Sequence, residues 1–185
     1  MSRYASMPLA LCLMIFVVFA GPTWAAVNLA PLHGVASANQ WTSGYDPPLA
    51  IDGNWDTGWV NIGPTPTESN PIWLQVDLQK KYQVEEIKLV FSHLNFQPAT
   101  NIYNLYVSTD GNNWNLVGSG TLTLSQDPAL YINTITLTPS QVLQYVKYEA
   151  VGGTFYGSLY EMEIWGGPNP YSPPGVAANS LLLLD

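Results

Sequence analysis

The densest run of oxygen-bearing side chains is Asp52-Gly53-Asn54-Trp55-Asp56-Thr57-Gly58-Trp59. Carboxylate, amide and hydroxyl oxygens gathered about a glycine turn are the donors a hard cation such as Ca²⁺ takes, typically about six to eight at a time. The first carboxylates are spaced as in an EF-hand loop. That loop needs glycine where Thr57 stands and a closing glutamate where Gly63 stands, so an EF-hand is excluded. Two readings stay open: a different calcium site completed by backbone carbonyls and one remote carboxylate, or an Asx-type turn with no metal. The pattern by itself favours the turn. Catalytic signatures are absent: the chain has no Gly-x-Ser-x-Gly and no His-Glu-x-x-His. Its thirteen acidic residues make some close carboxylate pair inevitable, so a glycosidase pair cannot be read from their number.

The first residues read as an address. Arg3 supplies a positive start, residues 9–21 are nearly unbroken apolar sequence, and Thr23-Trp24-Ala25 places small residues where a leader peptidase needs them. Residues 1–25 are therefore expected to be a signal peptide, and the protein to be secreted, extracellular or periplasmic. The apolar run is short for a bilayer, which needs about 20 such residues. Cys12 sits too early in that run for a lipoprotein signal. Cleavage after Ala25 removes the only cysteine and the only arginine, so neither a disulfide nor a cysteine nucleophile remains. It leaves four lysines against thirteen acids, a formal charge of −9. Such a chain is a poor partner for nucleic acid or anionic membrane, which are held by Lys and Arg.

The elements that must position these residues are strands. Ile72, Leu74, Val76 and Leu78 share one face of an alternating run; Ile87, Leu89 and Phe91 repeat the pattern, as do Tyr103, Leu105 and Val107. Asp110-Gly111 reads as a hairpin turn, with Trp114 opening the returning strand. Residues 131–137, 145–151 and 159–165 complete the set. Proline and glycine clusters punctuate it, and no stretch keeps a helical period. An all-β antiparallel sandwich or barrel follows. Residues 26–166 form one domain, and the proline- and glycine-rich residues 167–185 read as a linker-like tail.

Several of these segments, in order, resemble the discoidin, or coagulation factor five/eight type C, domain, and within it the bacterial family 32 carbohydrate-binding modules. Asn28-Leu29-Ala30 and Val35-Ala36-Ser37-Ala38 match its opening, and Ala50-Ile51-Asp52-Gly53-Asn54 with Thr57 and Trp59 its most specific motif. Trp73-Leu74-Gln75-Val76-Asp77-Leu78, Val107-Ser108-Thr109-Asp110-Gly111 with Trp114, Tyr145-Val146-Lys147-Tyr148 and Glu161-Met162-Glu163-Ile164-Trp165-Gly166 match its strands. The resemblance covers residues 27–166. It implies an eight-stranded jelly-roll sandwich of the galactose-binding-domain kind, and a structural Ca²⁺ ion. Its ligands would be the Asp52 side chain, oxygens of Asn54 and Thr57, a carbonyl near Leu49, and Glu161, which reverses the preference for a bare turn.

The resemblance also places a ligand site in loops at one end of the sandwich. A sugar offers apolar C–H faces and a rim of hydroxyls, so it needs an aromatic platform and a few placed polar groups. Trp41, Tyr45, Phe96, Phe155 and Tyr156 are the candidate platforms; Glu68, His93, Asn95 and Asn101 are the candidate polar partners. Trp59, Trp73, Trp114 and Trp165 read as packing residues, and His33 as a surface or turn residue. One departure stands out. Many sugar-binding members of this family set an arginine beside the histidine, and the chain after residue 25 has none, so galactose-type specificity is not implied. The expectation is a secreted, non-catalytic module for glycan or polysaccharide. The alternative is a cell-adhesion or protein-interaction domain of the same fold, with other extracellular proteins as partners.

Overall fold

The computed structural model describes residues 25–91, 99–123, 127 and 131–169. All but the last residue of the expected leader, and residues 170–185 of the expected tail, lie outside them.

The alternating runs form the strands they predict, all antiparallel. β1 is Val27–Asn28, β2 Val35–Ala38, β3 Trp59–Val60, β4 Ile72–Val90, β5 Thr100–Ser108, β6 Asn115–Thr123, β7 Ile132–Gly153, β8 Ser158–Leu159 and β9 Glu161–Pro168. One helical turn, α1 (Ala30–His33), and a 3₁₀ turn, Pro47–Ala50, interrupt them. α1 follows Leu29 with Pro31 in its first turn, where proline's missing N–H has no intrahelical partner to lose.

Two long strands build both layers. The first half of β4 pairs with β2 and with the second half of β7, which continues to β5 and β6. The second half of β4 pairs with the first half of β7 and with β9, which carries β1 at the edge. The sequence suggests two separate strands over residues 72–91. They are one strand bent at a register break between Asp77 and Tyr82. Gln79 takes the bend with φ of 65°, its N–H held by Asp77 Oδ1 at 2.7 Å.

The core lies between the layers. Ile72, Leu74, Val76, Leu78, Ile87, Leu89, Phe91 and Leu105 are fully buried, the faces that the alternation selects. Each such side chain stabilises the fold by about 1.5–3 kcal/mol relative to exposure. The β5–β6 turn is built on Asp110, whose carboxylate accepts the N–H groups of Asn112 and Asn113 at 2.9 and 2.8 Å, while Gly111 supplies the positive φ of 75°. Outside the sheets, Lys147 lies 4.5 Å over Trp114 and 2.7 Å from Glu149, and Lys88 lies 5.7 Å over Trp165 and 2.8 Å from Glu163. Trp165 lies on β9, whereas Trp114 stands just before β6 rather than opening it as the sequence suggests.

Candidate functional site

β4 leaves one end of the sandwich at Ile72 and returns there at Val90. Ile72 pairs with Ala150, and Val90 with Glu161, so the connections before, between and after these strands gather at that end. Most described site candidates are found there.

Trp41 and Tyr45 stand on the segment before the 3₁₀ turn, 51% and 42% exposed. The segment is pinned from below. Thr42 N–H donates to the Val60 carbonyl at 2.9 Å, Val60 N–H to the Tyr45 carbonyl at 3.3 Å, and Tyr45 N–H to the Thr42 carbonyl at 2.9 Å. The buried Trp59 indole donates to the Gln40 carbonyl at 2.9 Å, and Thr42 Oγ1 accepts Ile62 N–H at 2.8 Å. Trp59 is thus structural, and its work is to hold the chain that presents Trp41. Ile62, exposed on the same loop cluster, carries no sequence signal of a site: a lone apolar residue between Asn61 and Gly63 reads as any loop position.

β3 links this segment to the second aromatic pair. Val60 pairs with Ser158, and Asn61 N–H reaches the Gly157 carbonyl at 2.8 Å. Just before Gly157, the Phe155 and Tyr156 rings lie 5.0 Å apart. Phe155 packs edge-on against the buried Phe91 at 5.9 Å and is partly sunk in the core, so it braces Tyr156 more than it offers an open face.

Asn101, expected among the open polar contacts, is instead fully buried. Its side-chain N–H donates to the Tyr156 carbonyl at 2.8 Å. Neighbouring Thr100 offers its carbonyl to Thr154 N–H at 2.8 Å and Phe155 N–H at 3.2 Å. The start of β5 is a template for the 153–157 turn, and Asn101 is its support from below. The Ser158 hydroxyl is buried with no hydrogen-bond partner among the described residues. Glu68 is exposed in a turn closed by Thr67 and Asn70. Asn39 ties that turn's exit to the Trp41 segment through Pro71 O at 3.0 Å and Trp73 N–H at 2.9 Å. His93, Asn95 and Phe96 lie outside the described residues.

The Asp52 run folds as a tight oxygen-rich loop. Asp52 Oδ1 accepts Asn54 N–H at 2.8 Å and Oδ2 accepts the Thr57 hydroxyl at 2.8 Å; Asn54 Oδ1 accepts Asp56 N–H at 3.1 Å. Gly53, at φ of 80°, points its N–H at both oxygens of Glu161, 3.3 Å each. The sequence separation of 108 residues is thereby closed. Glu161 is buried, and among the described residues no lysine pairs with it. Burial, against the Gly53 N–H and with Asp52 and Glu163 adding repulsion, pushes its carboxyl up to about 7. Glu163 beside it is held below the usual carboxylate range: burial opposes this, but Lys88 and the indoles of Trp165 and Trp55 outweigh it. Among the described residues no three His, Cys, Asp or Glu side chains converge, so any cation here needs neutral oxygens as well. A buried, unpaired carboxylate facing a loop of hydroxyl, amide and carboxylate oxygens fits a hard cation. A cavity of about 210 Å³ lined by Tyr45, Leu49, Thr57 and Tyr160 adjoins it.

A search of curated proteins gives no match. Among solved structures, the family 32 carbohydrate-binding module of Clostridium perfringens NanJ, in complex with galactose, superposes with TM-score 0.62 at 22% identity, over 76% of this chain and 98% of that one. Chitosan-binding module 1 of a chitosanase/glucanase from Paenibacillus sp. IK-5 gives TM-score 0.58 at 27% identity, over 76% and 99%. CpGH89 of Clostridium perfringens, in complex with GlcNAc-alpha-1,4-galactose, gives TM-score 0.61 at 23% identity over 81% of this chain but 16% of its own, so the same fold is also a part of larger glycoside hydrolases. The fold is that of the family 32 β-sandwich modules. The sequence profile of the F5/8 type C domain matches residues 34–162, and the chain belongs to that family.

Proposed function

We propose that this protein is a secreted, non-catalytic carbohydrate-binding module whose loop-end rings seat a glycan and whose Asp52 loop is fastened by calcium. The observation that carries the reading is the exposure of Trp41 and Tyr45 on a backbone pinned by at least four hydrogen bonds. An exposed indole on a rigid loop loses little conformational freedom when a sugar face stacks on it, so more of the contact energy appears as affinity. Tyr156, braced by Phe155, extends the same end, and the turn carrying the exposed Glu68 is joined to the Trp41 segment through Asn39.

The ligand class follows from charge. With no arginine after residue 25 and a charge of −9, the domain suits neutral or amino-sugar polymers and opposes anionic ones at this end. The likeness to a chitosan-binding module at 27% identity favours the amino-sugar branch.

The Asp52 side chain, oxygens of Asn54 and Thr57, a carbonyl near Leu49, and Glu161 would hold the ion. It would supply the positive charge that the buried Glu161 lacks. These residues orient the loop and join it to β9; none of them moves a proton to a substrate.

Affinity electrophoresis of the calcium-loaded protein against chitosan, galactan and uncharged β-glucan tests the function. Trp41→Ala with Tyr45→Ala should weaken binding by about 2 kcal/mol or more, about thirtyfold, without lowering Tm. Unchanged migration of this variant would refute the platform. Absence of binding to every glycan class by the folded parent would favour the adhesion or protein-interaction alternative.

A further inference from the structure

The far end of the sandwich carries a feature that glycan binding at the loops does not use. There β4 turns its corner between Leu78 and Tyr82, Pro168 pairs with Tyr82, and Val27 pairs with Gly166. A recess of about 380 Å³ opens at this corner, lined by Leu32, His33, Leu78, Gln79, Lys80 and Tyr82. We propose that it is a second ligand site, for a carboxylate-bearing sugar of the uronate class.

Charge is the first reason. Of the four lysines, Lys88 and Lys147 are spent on Glu163 and Glu149. Among the described residues Lys80 and Lys81 have no carboxylate partner, and of the two it is Lys80 that lines the recess. Asp77, three residues before Lys80, is turned to Gln79 N–H at 2.7 Å and the Gln144 side chain at 2.9 Å.

The recess is also built. The His33 ring stacks on the Tyr82 ring at 5.1 Å and 19°, and Lys80 Nζ lies 5.1 Å from the Tyr82 centroid. A cation held over a ring is already partly ordered before a ligand arrives. Tyr82 is 4% exposed, and its hydroxyl is buried with no hydrogen-bond partner among the described residues. Leu32, 63% exposed, adds an apolar wall. Gln79 keeps a left-handed backbone that costs a non-glycine residue energy, a kind of strain that collects at binding sites.

The ligand must therefore combine one negative charge with a compact body having an apolar face. The volume lies within the range of small-molecule sites, about 300–1,000 Å³. A single free lysine at the recess of a strongly acidic domain suits one carboxylate and does not suit a polyphosphate.

Backbone amide NMR of the whole protein, titrated with sodium D-galacturonate and in parallel with D-galactose, tests this. Galacturonate should shift the His33, Gln79 and Lys80 amides, more weakly as salt rises. Lys80→Ala should reduce that affinity about tenfold or more, as for loss of a charged contact. Trp41→Ala with Tyr45→Ala should leave it unchanged, so this site and the loop-end site stand or fall separately. No shift at these amides, an equal response to galactose, or full binding by the lysine variant would each overturn the proposal.

Discussion

Glu161 and Asn101 show how single residues at the loop end are committed. Glu161 is a buried acid whose described partners are one N–H and two like charges, an arrangement that a bound divalent ion would stabilise. Glu161→Gln should abolish any calcium-dependent rise in Tm, while the parent gains stability by mass action as the ion exceeds its dissociation constant. A differential scanning fluorimetry series in calcium and in chelator checks both. Asn101 has a different task. Asn101→Ala removes the donor to the Tyr156 carbonyl and should destabilise the protein by about 1–3 kcal/mol, measured by urea denaturation. Its role was illegible in the sequence, where an asparagine at a strand start reads equally as a ligand contact or a solvent residue. What decides is that its side chain points inward beneath a turn fifty-five residues away.

The strands were legible because one face of each is buried, and alternation records that directly. The Ile72, Ile87 and Tyr103 faces all enter the core as read. The bend at residues 78–81, which makes one strand of two, depends on tertiary pairing with β7 and β9 and leaves no local signal. α1 was missed because four residues are too few to show a period. Two element-scale outcomes follow. A Cβ at Gly153 would lie 2.1 Å from the Thr100 carbonyl, at φ of 115°. Gly153→Ala should therefore displace the 153–157 turn and weaken glycan binding as well as stability, read by affinity electrophoresis beside a melt. In the β5–β6 hairpin, the backbone N–H groups of Asn113 and Asn112 hold the Asp110 carboxyl well below the usual carboxylate range. Its contribution is present above the unfolded value and is lost only as pH falls toward the folded one. Asp110→Asn should flatten the acid limb of the Tm–pH curve below about pH 4, where an ordinary aspartate titrates.

At the scale of the molecule, β3 and β8 are short, yet they tie the Trp41 segment to the Phe155–Tyr156 turn, and Gly53 with Glu161 ties the early loop to the last strand. The sandwich thus supplies a rigid body, and the loop end supplies the exposed rings. The ordered motifs made the family legible. They did not show which aromatics face outward, because burial of a loop ring is set by what packs beside it: Phe155 meets Phe91, whereas Trp41 and Tyr45 stay open. The most direct test is the indole N–H region of an amide NMR spectrum of the calcium-loaded protein titrated with soluble chitosan oligosaccharide. The account predicts that the Trp41 indole signal moves and saturates while that of the buried Trp59 stays in place. Saturable binding that leaves the Trp41 signal unmoved would contradict it.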